Sequence, residues 1–344
     1  MAWSKLGTAS VTGAVANTSW KELARGTLSS GADTINSGTF TAKDNIMILQ
    51  HNINSGAVRT GLRFNADTGN NYAHRRSVNG ATDATNTSHN RIVADTDVDG
   101  TDFTVSNFTN VSAQEKIGIL HRIHQSGSGA GNVPDREEMV GKWANTSSQI
   151  TSVQSYNAES GDFDTGSEIV VLGYNNDEAD SGTNFWQELA SVESTGDNHT
   201  TGTFAAKKYL MVEVNVVTTG GAVSQRMTCN DDTGSNYANR DSKDGGAEST
   251  QTSASSINGG FNDDLVTNSI GKTLMYVINK SDKEKLFISH SISGESAGDG
   301  TAPTRDENVF KWTNTSAQIT KLDFDNNKAG DWASGSYIKV YGAD

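Results

Sequence analysis

"KWANTSSQIT" occupies residues 142–151 of a chain of 344 residues, and "KWTNTSAQIT" occupies residues 311–320, 169 positions later. Eight of the ten positions are identical. Because a phrase of this length does not recur by composition alone, it predicts that a larger unit of the chain has been duplicated.

Matching blocks on both sides of the phrase extend the duplication over most of the chain. "FNADTGNNYAHR" from Phe64 matches "CNDDTGSNYANR" from Cys229, and "GDFDTGSEIVVLGYN" from Gly161 matches "GDWASGSYIKVYGAD" from Gly330. The separation changes only between matched blocks, as expected for insertions in surface loops. We therefore predict an N-terminal strand or arm over residues 1–19, a first domain over 20–175, a linker over 176–185 and a second domain over 186–344.

The residue pattern within each copy is that of β-strands. In "YLMVEVNVV", Leu210, Val212, Val214 and Val216 alternate with their neighbours and share one face. The chain contains 35 Gly and only 2 Pro, together with many Asn, Asp, Ser and Thr, which is typical of short strands joined by polar turns. We count roughly eight strand-like runs per copy. The predicted fold is all-β, with two tandem jelly-roll-like β-sandwich domains related by internal duplication.

Charge and composition exclude several classes of protein. The net charge of −14 and the lack of a Lys/Arg cluster argue against a nucleic-acid binder. A single cysteine, Cys229, excludes an intrachain disulfide framework and a cysteine-based zinc site. Neither a signal peptide nor a run of about 20 apolar residues is visible, so we expect no membrane insertion and synthesis in the cytoplasm.

Two equivalent turns offer oxygen atoms of the kind that Ca²⁺ binds. "NADTGNNY" contains Asp67 and Asn70, and "NDDTGSNY" contains Asp231 and Asp232. The same residues also favour a hairpin turn, because Asp and Asn side chains bond to nearby backbone and tolerate positive φ. We favour the turn, expect no cofactor, and keep calcium as the alternative.

The tryptophans of the repeated phrase, Trp143 and Trp312, have two interpretations. They could stack on sugars, as aromatic residues do in carbohydrate-binding sandwiches, or anchor the packing of the sheets. We favour packing, with the Asn-Thr-Ser that follows forming a turn and Ile150 lying within a strand.

Arg136 and Arg305 stand beside paired carboxylates in the equivalent stretches "PDREEMVGKW" and "PTRDENVFKW". Neighbouring residues of a strand point to opposite faces, so these carboxylates do not form a catalytic pair. We expect structural ion pairs or contacts with a neighbouring subunit. His121 and His290 are also equivalents, but one histidine per copy is poor evidence for a metal site. Since no nucleophile elbow, phosphate loop or zinc signature is present, we predict that the protein is not an enzyme.

Three of the quoted motifs together resemble a module of structural proteins of tailed, especially marine, bacteriophages. These are "FNADTGNNYAHRR", "GKWANTSSQITSVQ" and "GSEIVVLG", and both copies carry all three, with departures such as Cys229 in place of Phe64 and Tyr337 in place of Glu168. The resemblance spans most of residues 20–344 and implies a virion protein without catalytic residues.

The resemblance leaves three functions open. The first is a head-decoration or accessory protein on the virion surface that binds capsid or tail proteins and forms a homo-oligomer, with a trimer as the working expectation. The second is a tail-fibre or receptor-binding adhesin that contacts host glycans. The third is a carbohydrate-binding module or a carbohydrate-active enzyme.

Overall fold

The computed structural model describes residues 20–94, 97–176, 184–258, 265–294 and 300–344. Within these ranges every regular element is a β-strand, and none is a helix that could cross a membrane. The predicted arm over residues 1–19 lies outside the described residues, as do residues 177–183 of the predicted linker.

The first domain consists of two sheets. Its strands are β1 Lys21–Thr27, β2 Thr34–Thr39, β3 Asn45–Val58, β4 Gly61–Phe64, β5 Tyr72–Val78, β6 Ala84–His89, β7 Ile92–Val93, β8 Val98–Thr109, β9 Lys116–His124, β10 Asp135–Trp143, β11 Ser152–Tyr156, β12 Asp162–Phe163 and β13 Glu168–Tyr174. The large sheet has the order β1-β13-β3-β8-β9-β10-β5-β6, with β12 also pairing with β3, and the small sheet has the order β2-β11-β4-β7. All of these pairings are antiparallel.

The second domain repeats this arrangement strand by strand. Its strands are β14 Gln187–Glu193, β15 Asn198–Thr200, β16 Tyr209–Thr219, β17 Gln225–Cys229, β18 Tyr237–Lys243, β19 Ser249–Ala254, β20 Ile257–Asn258, β21 Ile270–Ile278, β22 Lys285–Ser293, β23 Thr304–Trp312, β24 Leu322–Asn326, β25 Asp331–Trp332 and β26 Tyr337–Ala343. The large sheet has the order β14-β26-β16-β21-β22-β23-β18-β19, with β25 also pairing with β16, and the small sheet has the order β15-β24-β17-β20. Each strand of the second domain therefore occupies the position of one strand in the first, and the structure confirms two tandem β-sandwiches.

The prediction of about eight strands per copy was too low, because the described residues contain thirteen in each domain. Several strands are short or polar and give little signal in the sequence. β6 reads "ATNTSH" and lies at the edge of the large sheet, while β7 and β12 contain two residues each. A polar edge strand buries neither face, so it shows no apolar alternation in the sequence.

Each sandwich encloses its own apolar core between a large and a small sheet. In the second domain, Leu210, Val212, Val214 and Val216 are fully buried in this core, which confirms the predicted alternation. The first domain has an equivalent core that contains Trp143.

The two domains pack against each other through the outer faces of their large sheets. A third apolar cluster contains Leu49, Phe103 and Ile123 from the first domain and Tyr209 and Ile288 from the second. The layers therefore run small, large, large and small, with β9 facing β22 and β10 facing β23. Because apolar side chains fill the space between the large sheets, the domains form one packed unit.

Candidate functional site

The predicted calcium turn and the repeated tryptophan phrase form one structural corner in each domain. Trp143 Nε1 donates a hydrogen bond to Asp67 Oδ2 at 2.7 Å, and Trp312 Nε1 donates to Asp232 Oδ2 at the same distance. The prediction of a hairpin for this turn was wrong, because β4 belongs to the small sheet and β5 to the large one. Its first residue, Asn65, has a φ of 53°. The corner thus ties the two sheets of a domain together.

The carboxylates of this corner are already saturated by donors of the protein. Asp67 Oδ1 accepts the Gly69 amide at 2.8 Å, and Asn71 Nδ2 lies 2.9 Å from Asp67 Oδ2. Burial raises the pKa of Asp67, but the hydrogen bonds from Trp143, Asn71 and Gly69 outweigh it and hold that pKa below its ordinary value.

The remaining calcium candidates do not complete a ligand set. Asn70 is exposed in the turn, and Asp231 pairs with Lys321 at 2.5 Å. Asp232 repeats the bonding of Asp67, with Gly234 and Asn236 as additional donors. Since Ca²⁺ requires six to eight oxygen ligands, these residues do not fit a calcium ion, and the hydrogen bonds within a turn between the two sheets account for them.

Trp143 and Trp312 are each only 1% exposed, so the sugar-stacking alternative for them is wrong. Trp143 packs against the rings of Phe64 and Tyr72 inside the first sandwich. Ile150 is buried too. The prediction that it lies within a strand was wrong, because it belongs to the connection just before β11. In that connection Asn145 Oδ1 accepts the amides of Ser147 and Ser148, both at 2.8 Å. The polar part of the phrase therefore satisfies its own backbone.

Arg136 and Arg305 have different surroundings, although they are equivalent in sequence. Arg136 is 5% exposed and lies between the domains, where it donates to Glu307 at 2.8 Å, to Glu248 at 2.5 Å and also to Glu138. The side chain of Arg305 is 59% exposed and pairs with Glu307 at 3.3 Å. One arginine is thus the polar centre of the interdomain contact, and the other is largely open to solvent.

The carboxylates beside Arg136 point to opposite faces of β10, as the sequence indicated. Glu137 points inward and accepts from Arg122 at 3.0 Å, while Arg122 also donates to Asp102 at 3.1 Å. All three inward side chains are fully buried. The sequence does not reveal this buried triad, because its members come from three different strands.

His121 and His290 meet at the interdomain contact, which sequence analysis did not anticipate. Their ring centroids are 4.2 Å apart, and the ligand atoms of both lie with that of Glu138 within 4.8 Å of one another. Burial lowers the pKa of His121 to about 3, so both rings are neutral at pH 7. The guanidinium of Arg136 already supplies a cation to Glu138, so this group does not form an open metal site.

A groove of about 740 Å³ lies on the outer face of the first domain's large sheet. Its floor carries three of the most exposed apolar side chains in the described residues, Ile117, Ile119 and Val140, and its rim carries Trp20 and Tyr174. None of the described residues that line it is an Asp or a Glu. The groove was not predicted from the sequence, although "IGILHRI" indicates it, since a strand that is apolar on both faces packs against a partner on each side.

Comparisons with known proteins assign no family to this chain. No family model matches it, and no curated protein matches it. Among solved structures, it is similar to domains LG4-5 of the mouse laminin alpha1 chain at 9% identity and a TM-score of 0.20, over 94% of this chain and 86% of that one. It is also similar to an acyl-CoA hydrolase from Agrobacterium tumefaciens at 7% identity and a TM-score of 0.13, over 64% and 74% of the two chains. At these scores neither likeness carries an inference.

Proposed function

We propose that the chain is a non-enzymatic structural protein on the surface of a tailed-phage virion, where it serves as a head-decoration or accessory protein that binds other proteins. The resemblance of three motifs to those of phage structural proteins supports the setting. In both domains the polar residues of those motifs bond to the fold itself, as Trp143 does with Asp67. They therefore serve the scaffold.

The observation that carries the proposal is the groove. Its floor is apolar, with Ile117, Ile119 and Val140 each about half exposed, and an exposed apolar patch of this kind is typical of a protein-binding surface. Among the described residues the lining contains no carboxylate, so it does not offer the pair of acids that glycoside hydrolysis requires. A protein-binding role is favoured over a carbohydrate-active enzyme.

The composition of purified virions tests the proposal. Mass spectrometry of gradient-purified particles should detect the chain in many copies, and cryo-electron microscopy should place its two sandwiches on the head. A chain that is absent from purified particles would refute the virion role, and one confined to the tail tip would refute decoration.

An adhesin is the second candidate, and the aromatic rim of the groove favours it. Trp20 and Tyr174 meet edge to face with ring centroids 4.7 Å apart, and aromatic side chains are the usual platforms for sugar rings. A glycan array that compares the native chain with Trp20→Ala tests this. Binding that disappears in the variant would favour the adhesin.

A further inference from the structure

Two arginines of the first domain lie on the outer face of its small sheet, away from the interdomain contact. Leu62 and Phe64 of β4 point into the core, so Arg63 between them points outward. The Cζ atom of Arg63 lies 3.6 Å from the centroid of the Tyr156 ring, and that of Arg91 lies 5.5 Å from the same centroid. The two guanidinium groups and the ring therefore form one cluster.

The fold holds both guanidinium groups in place. Arg63 is only 7% exposed, and its Nε donates to the carbonyl oxygen of Asn90 at 3.2 Å. Arg91 Nη1 donates to Asn90 Oδ1 at 2.9 Å. A Cβ atom on Gly61 would lie 2.6 Å from Cδ of Arg91, so the glycine leaves room for the arginine to lie across β4.

The charge of this cluster is not balanced on its own face. Neither Arg63 nor Arg91 forms an ion pair with a carboxylate in the part of the chain that the structure describes. Two acids of the region, Asp97 and Glu159, pair instead with Arg59, at 2.7 and 3.9 Å. Burial and the charge of Arg63 lower the pKa of Arg91. Because half-buried cations are costly without a counterion, the cluster fits an anionic group from outside the chain.

The second domain has carboxylates at the equivalent place. Gln154 and Tyr156 of β11 correspond to Asp323 and Asp325 of β24, as the register with the neighbouring strand shows in each domain. Asp325 pairs with Arg226 of that neighbouring strand. The small sheet of the second domain therefore supplies its own anions.

The two arginines are themselves particular to the first domain. Thr228 and Ser256 occupy the positions of Arg63 and Arg91 in the second domain. The first domain thus has cations where the second has hydroxyl groups, and uncharged side chains where the second has acids. Of these two equivalent faces, the first is the one suited to an anionic ligand.

The rest of this face is polar. Gln154 lies opposite Arg63 in the sheet, and Asn36 lies opposite Gln154 and accepts from its Nε2 at 2.9 Å. Among the described strand residues, those with large and largely exposed apolar side chains all belong to the large sheets: Ile117, Ile119, Val140, Ile270 and Ile292. Since the centre of a protein–protein interface is usually apolar, this face suits a ligand rich in hydroxyl groups better than a protein.

We propose that this face binds a sugar acid, with the carboxylate held by Arg63 and Arg91 and the hydroxyl groups bonded to Gln154 and Asn36. Guanidinium groups match the planar geometry of a carboxylate, and carboxamides both donate to and accept from hydroxyl groups. The net charge of −14 repels a densely charged polyanion, so the ligand carries isolated carboxylates, as a terminal uronic or sialic acid does. This site goes beyond the proposed function and does not rest on it.

Titration calorimetry of the full chain tests the proposal. The probes are glucuronate, galacturonate and N-acetylneuraminate, with glucose and galactose as the neutral matches. We expect a sugar acid to bind with a Kd of about 1 mM and the neutral sugars to bind far more weakly.

Arg91→Gln and Arg63→Gln should each weaken this binding roughly tenfold or more, because each removes a hydrogen bond between charged groups. The matched control is Arg226→Gln, which removes an arginine from the equivalent face of the second domain and should leave the Kd unchanged. Circular dichroism and urea unfolding establish that each variant is folded. Arg91 is only half-buried, so its variant tests the site even if Arg63→Gln is unstable.

Four results would overturn the proposal: no sugar acid binds, a neutral sugar binds as tightly as its acid, acetate alone binds as tightly as the sugar acids, or Arg91→Gln binds like the native chain. Equal losses in Arg91→Gln and Arg226→Gln would overturn it as well. A chain that binds no sugar acid but loses an acidic protein partner in Arg91→Gln would assign the cluster to protein binding, against the proposal.

Discussion

Replacing Arg136 by Met should destabilise the folded chain more than removing an ordinary surface charge does, because Arg136 lies in the interdomain contact. The guanidinium of Arg136 bonds to three carboxylates, those of Glu138, Glu248 and Glu307, and two of these belong to the other domain. Methionine retains most of the aliphatic stem, so the change removes mainly the charge. The duplicated chain supplies the control, Arg305→Met, at the equivalent and largely exposed position.

The size of the effect follows from the burial of the partners. Removing one member of a buried ion pair costs roughly 3–5 kcal/mol, because the remaining charges lose their compensation. The three carboxylates keep side-chain exposures of 14–28%, so water screens part of this loss and we expect about 2–4 kcal/mol. For Arg305→Met the expected cost is below about 1 kcal/mol, as for a surface pair.

Urea unfolding at low ionic strength measures both variants, since guanidinium chloride would screen the charges being tested. Equal losses in Arg136→Met and Arg305→Met, or a loss below about 1 kcal/mol in Arg136→Met, would refute the reasoning.

The cost of Arg136→Met should also depend on pH. Burial raises the pKa of Glu138 to about 7, so this carboxyl favours the folded state when protonated, and that contribution is lost as pH rises through 7. Without the arginine, the charge of Glu138 is uncompensated above pH 7 and absent at pH 5. We therefore expect a larger loss at pH 8 than at pH 5.

Three further predictions concern groups that the fold buries. Trp143→Phe and Trp312→Phe should each lower the free energy of unfolding in urea by roughly 1.5–3 kcal/mol, because each removes a hydrogen bond to an ionised carboxylate. A loss of stability in only one of the two variants would contradict the equivalence of the two corners. Burial lowers the pKa values of His121 and His290 in the folded chain. Because the unfolded chain takes up these protons first, the free energy of unfolding should be highest above about pH 6.5 and should fall as the pH drops toward 3. Melting temperatures across this range measure it, and a double His→Asn variant that shows the same slope would contradict the assignment. Burial raises the pKa of the Cys229 thiol, so a thiol reagent should label it only as fast as the second domain unfolds, and immediate labelling of the folded chain would contradict this.

The repeat made the architecture predictable from the sequence. Tandem β-sandwiches could be predicted from two features, the repeated "KWANTSSQIT"-like phrase and the alternation around Leu210 and Val212. Alternation is informative because period-two burial is a local property of a strand. The packing role of Trp143 was predictable for the same reason, since both copies retain the residue inside the same run.

The connections between sheets were not predictable, because alternation does not reveal which sheet a strand joins. The turn from Phe64 to Tyr72 has the composition of a hairpin, yet it crosses from the small sheet to the large one. The hydrogen bond between Trp143 and Asp67 spans 76 residues, and nothing local indicates it.

The interdomain contact was missed because each copy was interpreted in isolation. A single histidine per copy is weak evidence, but His121 and His290 become neighbours once the domains face each other. The positions where the copies differ were the better signal. Glu168 aligns with Tyr337, and Glu168 is the residue that accepts from Tyr209 at 2.7 Å and pairs with Lys208 at 2.7 Å across the interface.

The two copies differ in burial in a way that identifies the symmetry of their contact. In an isologous contact, equivalent residues of the two domains would be buried alike. Here Ile123 is buried and its counterpart Ile292 is exposed, whereas Ile288 is buried and its counterpart Ile119 is exposed. Equivalent strands nevertheless face each other, β9 with β22 and β10 with β23, and the equivalent His121 and His290 meet. The contact is therefore an approximate two-fold contact, in which the sheets pack closely on the side of Ile123 and Ile288 and leave Ile119 and Ile292 exposed.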